Sequence, residues 1–374
     1  MSGPLTGITI IEFSGIGPGP FCGMVLADMG AEVIRIDRLS NFGQGNKLDF
    51  QSRSKLSLSA DLKDPKTIEE IKKLIISADA IIEGFRPGVM ERLGLGPDDL
   101  LDINPSLVYG RMTGWGQDGP LAKTAGHDIN YIALTGALDA IGRKDGKPTP
   151  PLNLIGDYGG GGMFLAMGIL AAIINVKNGG TGQVVDAAMV DGASVLMTMF
   201  YSFNAFGHWS DQRESNLLDG GAHFYDTYEC SDGKFMSVGS IEPQFYSILL
   251  EKLEINDDQF LDQMNKDRWE ELSKKIAETF KKKTREEWTN IFDGTDACVA
   301  PILNLSEAPN HPHLKSRNTF LEVDNYMQPA PAPRFSNTKE GIKNSPQTVG
   351  QNNDEVCQKY NLDINQSVSY THLT

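Results

Sequence analysis

A chain of 374 residues with 40% hydrophobic and 22% charged residues has room for two domains and a sizeable core, and its composition is that of an ordinary globular protein. Its formal net charge of −15 argues against non-specific nucleic-acid binding, although a local basic cluster could still hold a phosphorylated ligand. The four cysteines (Cys22, Cys230, Cys298 and Cys357) are dispersed and form no CxxC pair, which speaks against a disulfide framework or a zinc site and for a reducing compartment.

Ile8 to Phe13 reads as a continuous apolar strand, Ser14 to Pro20 as a turn, Phe21 to Met29 as a helix stopped at Gly30, and Glu32 to Asp37 as a second strand. That is a βαβ unit, which implies a right-handed crossover and a parallel sheet. Gly15 and Gly17 begin a dinucleotide fingerprint, but Pro20 stands where its last glycine belongs, so a tight strand-to-helix turn is the better reading. Leu56 to Leu62 is strand-like, and Asp64-Pro65 opens a helix to about Ser77. Ala80 to Glu83 and Leu107 to Thr113 are further strands, separated by a turn and a short helix, Val89 to Leu93. Gly114 to Pro120 is a long irregular loop, and His127 to Leu138 reads as a helix.

Pro151 to Tyr158 (PLNLIGDY) places a single acid, Asp157, before the run Gly159 to Gly162, and an apolar helix is expected from Met163 to Asn175. At a loop–helix junction Asp157 could do chemistry or could merely cap the helix. The glycines could admit a substrate close to the backbone, with the N–H groups of Asp157 and Gly159 holding an oxyanion. Val184 to Phe206 reads as one long apolar helix; its portion Ala187 to Phe206 is the best candidate for a membrane span, but Asp191, Gly192 and Asn204 make a buried helix the better reading. A hairpin follows at His223 to Glu229 and Lys234 to Val238, then amphipathic helices at Pro243 to Leu253, Arg268 to Phe280 and Thr284 to Phe292, and a strand-like run at Cys298 to Leu303. The expected organisation is α/β: a large Rossmann-like domain with an open parallel sheet over 1–184, a connection over 185–225, a smaller α+β domain over 226–310, and a return to the large domain over 311–374, polar and loose from about Asn344.

Three groups of residues could carry chemistry. Arg35, Arg38, Arg53, Lys55, Arg86 and Arg92 lie at or beyond strand ends, where guanidinium forks suit phosphates; scattered solvated charge is the alternative. Of the six histidines (His127, His208, His223, His311, His313 and His372), only His127 stands at a helix start after a long loop, with Asp128 beside it as a possible cap. His127, Asp157 and Glu242 are the ionisable groups with a possible task, although each could be structural. Met163, Met167, Met189, Met197 and Met199 read as core, or as an adaptable surface for acyl groups.

The segments GPLTGITIIEFSGIGPGPFCGMVLADMGAEVIRIDR, IIEGFRPGVMERLGLG, YGRMTGWGQDGPLAKTAGHDINYIALTGAL, NLIGDYGGGGMF and NLLDGGAHFYDTYECSDGKFMSVGSIEPQFY together resemble the α-methylacyl-CoA racemases of the family III CoA-transferase superfamily, over about residues 1–305. The resemblance implies an interlocked homodimer whose active site lies between the large domain of one chain and the small domain of the other. It places the family's acid/base pair on His127 and Asp157 and the acid that orients the histidine on Glu242. It puts CoA phosphates at Arg38, with further CoA contacts near Ala60, Leu62, Arg86 and Arg92, and sets Tyr131 and Asn153 beside the pair. The sequence departs from the family at His223, where proline is expected.

The implied reaction inverts the carbon alpha to a thioester. One proton leaves, another arrives on the opposite face, and two acid/base groups must flank the carbon. The acyl-CoA is substrate, so neither metal nor separate cofactor is expected. The alternatives are a CoA-transferase of the same superfamily with Asp157 as nucleophile, and an acyl-CoA-binding protein without activity. No transit peptide or secretory leader is evident, and the C-terminal His372-Leu373-Thr374 is not an SKL-type signal, so an intracellular location is expected: peroxisome or mitochondrion in an animal, cytoplasm in a bacterium.

Overall fold

A computed structural model of the protein describes residues 3–339 and 341–364; the C-terminal tripeptide considered above lies outside the described residues. The chain divides into two compact units: residues 3–135, 152–196 and 313–364 form the described part of the first, and residues 136–151 and 197–312 form the second. The return to the first unit expected after 310 falls after 312, whereas the first unit runs to 196 rather than 184, the segment 197–225 belongs to the second unit rather than to a connection, and so does the excursion over 136–151. Arg143 is one reason: its guanidinium donates to Asp226 at 2.7 Å and to Glu214 at 2.8 Å, both within that unit.

The first unit is built on a six-stranded, wholly parallel sheet. Its strands are β1 (Thr9–Phe13), β2 (Glu32–Arg38), β3 (Lys55–Ala60), β4 (Ala80–Glu83), β5 (Val108–Thr113) and β6 (Gln183–Ala188), in spatial order β3-β2-β1-β4-β5-β6. This is the doubly wound order, which reverses direction between β1 and β4. Successive β1 residues serve opposite cores. Ile10 packs with Leu26, Val33, Leu165 and Ile169, whereas Ile11 packs with Ile34, Leu58, Ile71 and Tyr109. A strand covered on both faces has no polar side, and the apolar β1 sequence reflects that.

β6 overturns the single long helix expected from Val184 to Phe206. Val184 and Val185 lie in register with Tyr109 and Gly110, and helix begins only at Met189. Two short helices follow, Met189–Leu196 and Thr198–Ala205. β-branched residues beside an open sheet edge join the sheet, where they pack well on a pleated surface. The helix expected from His127 to Leu138 also divides, into Asp128–Ala133 and Ala137–Ala140, at Gly136 with φ +80°.

The segment from Asn344 is not loose within the described residues. Asn352 and Asn353 accept the backbone N–H groups of Ser57 and Ser59 at 3.0 and 2.9 Å, covering the open side of edge strand β3. The Asn353–Tyr360 helix then buries Val356, and Ile364 joins the same core.

Three of the basic residues expected to hold phosphate are structural. Arg35 pairs with Asp37, Arg53 with Asp28, and Lys55 with Glu12, at 2.8, 2.6 and 2.6 Å, and all six side chains are buried. Arg53 also donates to Gln328 and to the Pro329 carbonyl, which holds the antiparallel hairpin Phe320–Val323 and Tyr326–Pro329 to the first unit.

The second unit holds the antiparallel sheet β7 (Tyr225–Glu229), β8 (Phe235–Gly239) and β9 (Val299–Pro301), in that order, with helices Pro243–Lys252, Lys266–Phe280 and Arg285–Phe292. Its core is aromatic: Phe224, Tyr228, Tyr246, Phe260, Trp269, Phe280, Trp288 and Phe292.

Candidate active site

The segment after Asn153 is a wide helix, Leu154–Met163, of the π type, and it runs directly into the α-helix Phe164–Lys177. Asp157 therefore sits inside a helix, and its reading as an N-cap does not hold; Asn153 occupies that position. π turns are rare and concentrate at functional sites. The whole stretch Leu154–Lys177 is apolar and long enough by composition to cross a membrane, a different segment from 187–206, the best candidate by sequence, where a buried helix is the better reading. One of its faces belongs to the sheet's core through Leu165, Ile169 and Ile173.

The glycine run is not an open cradle for substrate. A Cβ on Gly160 would lie 2.5 Å from the Ala193 nitrogen, and one on Gly162 would lie 2.9 Å from the Pro18 carbonyl oxygen. These glycines let the wide helix press against the Met189–Leu196 and Pro18–Asp28 helices. Of the two amides expected to hold an oxyanion, that of Asp157 is already engaged within the protein. The Asp157 N–H donates to Asp128 Oδ1 at 2.7 Å. Gly159 lies inside the same wide helix, where a Cβ would lie 3.0 Å from the Leu154 carbonyl oxygen.

The Asp157 carboxyl is half-buried, and Asn153 Nδ2 donates to its Oδ2 at 3.1 Å. Burial lifts the carboxyl above the usual carboxylate range. The Asn153 hydrogen bond opposes that shift, the charge of Asp128 adds to it, and the charge of His127 opposes it. His127 is thus close enough to influence Asp157 electrostatically. It stands exposed at the N-cap of the Asp128–Ala133 helix, with its backbone N–H held by Asn130 Oδ1 at 3.0 Å. On another side, the turn after β1 touches the acid. A Cβ on Gly17 would lie 3.2 Å from Asp157 Oδ2, and Gly17 holds φ +73°. This turn starts a helix at Pro18 and leaves Pro20 inside it, so it is the tight strand-to-helix turn rather than a dinucleotide loop.

The remaining expected contacts sort by burial. Asn153 is engaged by Asp157 and Tyr131 by Gly126, to whose carbonyl its hydroxyl donates, so both build the site from behind. Tyr131 fits there because Gly114 and Gly126 have no side chains; a Cβ at either would enter its ring. The Ala60 side chain is buried, and Leu62 is partly buried against the core. Arg38, Arg86 and Arg92 are exposed, and no ion pair holds them among the described residues. Arg38 ends β2 and Arg86 follows β4, on the carboxyl side of the sheet where the loop after β5 leads to His127. Glu242 is exposed at the N-cap of the Pro243–Lys252 helix and belongs to the second unit.

Sequence reasoning overlooked Asp128, which it treated as a cap; Gly156, which faces the Asp128 carboxyl, was the available signal. It also overlooked Tyr158, whose ring stacks on Phe21 with centroids 4.5 Å apart while its hydroxyl accepts from Gln51 at 2.7 Å. Most of the methionines are not core: Met189 is buried, but Met163, Met167 and Met199 are exposed.

Comparisons with known proteins agree with this architecture. The chain is 46% identical over 359 residues to the α-methylacyl-CoA racemase of Mus musculus, covering 95% of this chain and 93% of that one. It is 44% identical over 361 residues to the human enzyme of the same name, with the same coverage. The crystal structure of a CAIB/BAIF family protein from Brucella suis superposes with a TM-score of 0.80 at 23% identity, covering 96% of this chain and 100% of that one, a likeness of fold. The family model for CoA-transferase family III matches residues 5–353, and the chain belongs to that family.

Proposed function

We propose that this protein is an α-methylacyl-CoA racemase in which one of His127 and Asp157 removes the α-proton of a 2-methylacyl-CoA thioester and the other delivers a proton to the opposite face. The observation that carries the reading is the Asp157 carboxyl, lifted by burial, held by Asn153 and influenced by the neighbouring imidazole. A carboxyl with a raised pKa can donate as well as accept, as a two-base mechanism requires. His127 takes the proton of the (S) epimer while protonated Asp157 supplies one to the other face, and the roles reverse for (R). The electrons left on the α-carbon delocalise onto the thioester oxygen as an enolate. No electron acceptor enters, because the oxidation state of the substrate does not change.

Arg38, Arg86 and Arg92 suit the CoA phosphates, being exposed guanidinium groups, Arg38 at the end of β2, Arg86 just after β4 and Arg92 at the end of the short helix that follows. Glu242 orients His127 from the second subunit of a homodimer with interlocked chains. Exposed apolar residues support a subunit interface: Leu154, Met163, Met167 and Ile174 on the Leu154–Lys177 stretch, and Leu152 just before it.

The test is incubation of each epimer of a 2-methylacyl-CoA in heavy water, followed by NMR at the α-position. Exchange with epimerisation from either side, without any free acid, is expected. CoA transfer only on adding an acceptor acid would make Asp157 a nucleophile instead. Binding without exchange would leave a binding protein.

A further inference from the structure

Asp128 follows His127 directly, yet its side chain turns inward, and the residue is only 7% exposed. Its Oδ1 accepts the Asp157 N–H at 2.7 Å, while its Oδ2 is buried without a hydrogen-bond partner among the described residues. The approach depends on Gly156, where a Cβ would fall 2.4 Å from that Oδ1 and 3.2 Å from the Ile132 side chain. One carboxyl group thus ties the backbone of one proposed acid/base residue to the helix that begins at the other. Leaving a carboxylate oxygen buried and unpaired is costly.

We propose that Asp128 is a positioning residue for the proton-transfer pair: its carboxylate clamps the Asp157 backbone to the His127 helix and keeps a negative charge behind the acid. The clamp sets how far apart the two groups stand across the α-carbon, and a misplacement of about 1 Å can cost roughly a hundredfold in rate. The charge favours the protonated form of Asp157, the form that delivers a proton to the enolate. The charged or titratable groups acting on Asp157 are Asp128 and His127, with Tyr131 on the same helix. Asn153 contributes a neutral donor, and the β1 turn contributes only the Gly17 backbone.

The inference rests on the racemase reading, and two substitutions separate the clamp from the charge. Asp128→Asn keeps an oxygen for the Asp157 N–H and removes the charge. Asp128→Ala removes both. With initial rates of epimerisation measured from each epimer across pH, Asp128→Asn is expected to keep KM and most of kcat. Its pH limb for the direction in which Asp157 acts as base moves to lower pH, because the carboxyl ionises more readily once the neighbouring charge is gone. Asp128→Ala is expected to lose about tenfold to a hundredfold in kcat with KM little changed. If the alanine variant does not fold, the asparagine variant alone decides. An Asp128→Asn pH profile that superimposes on the parent, or an alanine variant with parental kcat, overturns the assignment. If the parent protein itself fails to epimerise, the racemase reading falls instead.

Discussion

A Cβ on Gly192 would lie 1.9 Å from the carbonyl oxygen of Gly160, so two helices here meet backbone to backbone. One of them is the wide helix that carries Asp157. The glycine run that looks like a ligand loop in one dimension is a packing surface in three. Gly192→Ala should therefore force the helices apart, at a cost of about 1–3 kcal/mol, and displace Asp157. Urea denaturation and epimerisation rates check both effects. A variant with parental stability and activity would show that the contact is not needed.

Lys55 and Glu12 form an ion pair at 2.6 Å with side-chain exposures of 1% and 0%. Lys55 also donates to the Pro20 carbonyl, and Gly23 leaves room for the pair. Removing one partner strands a buried charge. Lys55→Met is expected to destabilise the protein by about 3–5 kcal/mol, whereas replacing both partners with apolar residues of similar volume recovers much of that loss. Chemical denaturation of the single and double variants measures the difference.

His223 is wholly buried, with Nε2 at 2.7 Å from the Tyr246 hydroxyl and Nδ1 unpartnered among the described residues. Burial pushes its imidazole down to about 4 from the ordinary 6.5. The unfolded chain thus binds a proton that the folded chain refuses between those values. This histidine's contribution is fully present above about pH 6.5 and is lost as pH falls toward 4, a span of about 3 kcal/mol. Stability measured at pH 7.5 and at pH 5 should fall less for His223→Gln than for the parent. An equal fall in both would remove His223 from the account.

Asn153 donates to Asp157 Oδ2 at 3.1 Å and favours the ionised carboxyl. Asn153→Ala should raise the pKa of Asp157 further. The direction of epimerisation that uses Asp157 as base then requires a higher pH, and its rate at neutral pH is expected to fall about tenfold or more. Rate–pH profiles from both epimers decide this. A shift toward lower pH would contradict the stabilising role of the amide.

Much of the first unit was legible in the chain. β1 to β5 lie close to where the sequence places them, β1 and β4 most plainly, because a strand buried on both faces reads as a short, nearly continuous apolar run. The catalytic candidates stood out as well, through a histidine after an irregular loop and an acid before a glycine run. β6 was hidden, because Val184 and Val185 continue an apolar pattern that equally suits a helix, and only a vacant sheet edge beside β5 decides between them.

The sequence by itself determined the βα alternation, the family, and which side chains are candidates for proton exchange. Tertiary structure decided what those side chains and their neighbours do. It turned Arg35, Arg53 and Lys55 inward to carboxylates, left Arg38, Arg86 and Arg92 exposed, and converted the glycines after Asp157 from a cradle into a helix contact. It also turned Asp128 from an apparent cap into the link between His127 and Asp157. The physical reason is range. Periodicity and propensity act between residues a few positions apart. Burial, charge pairing and the approach of one backbone to another depend on residues brought together from distant parts of the chain.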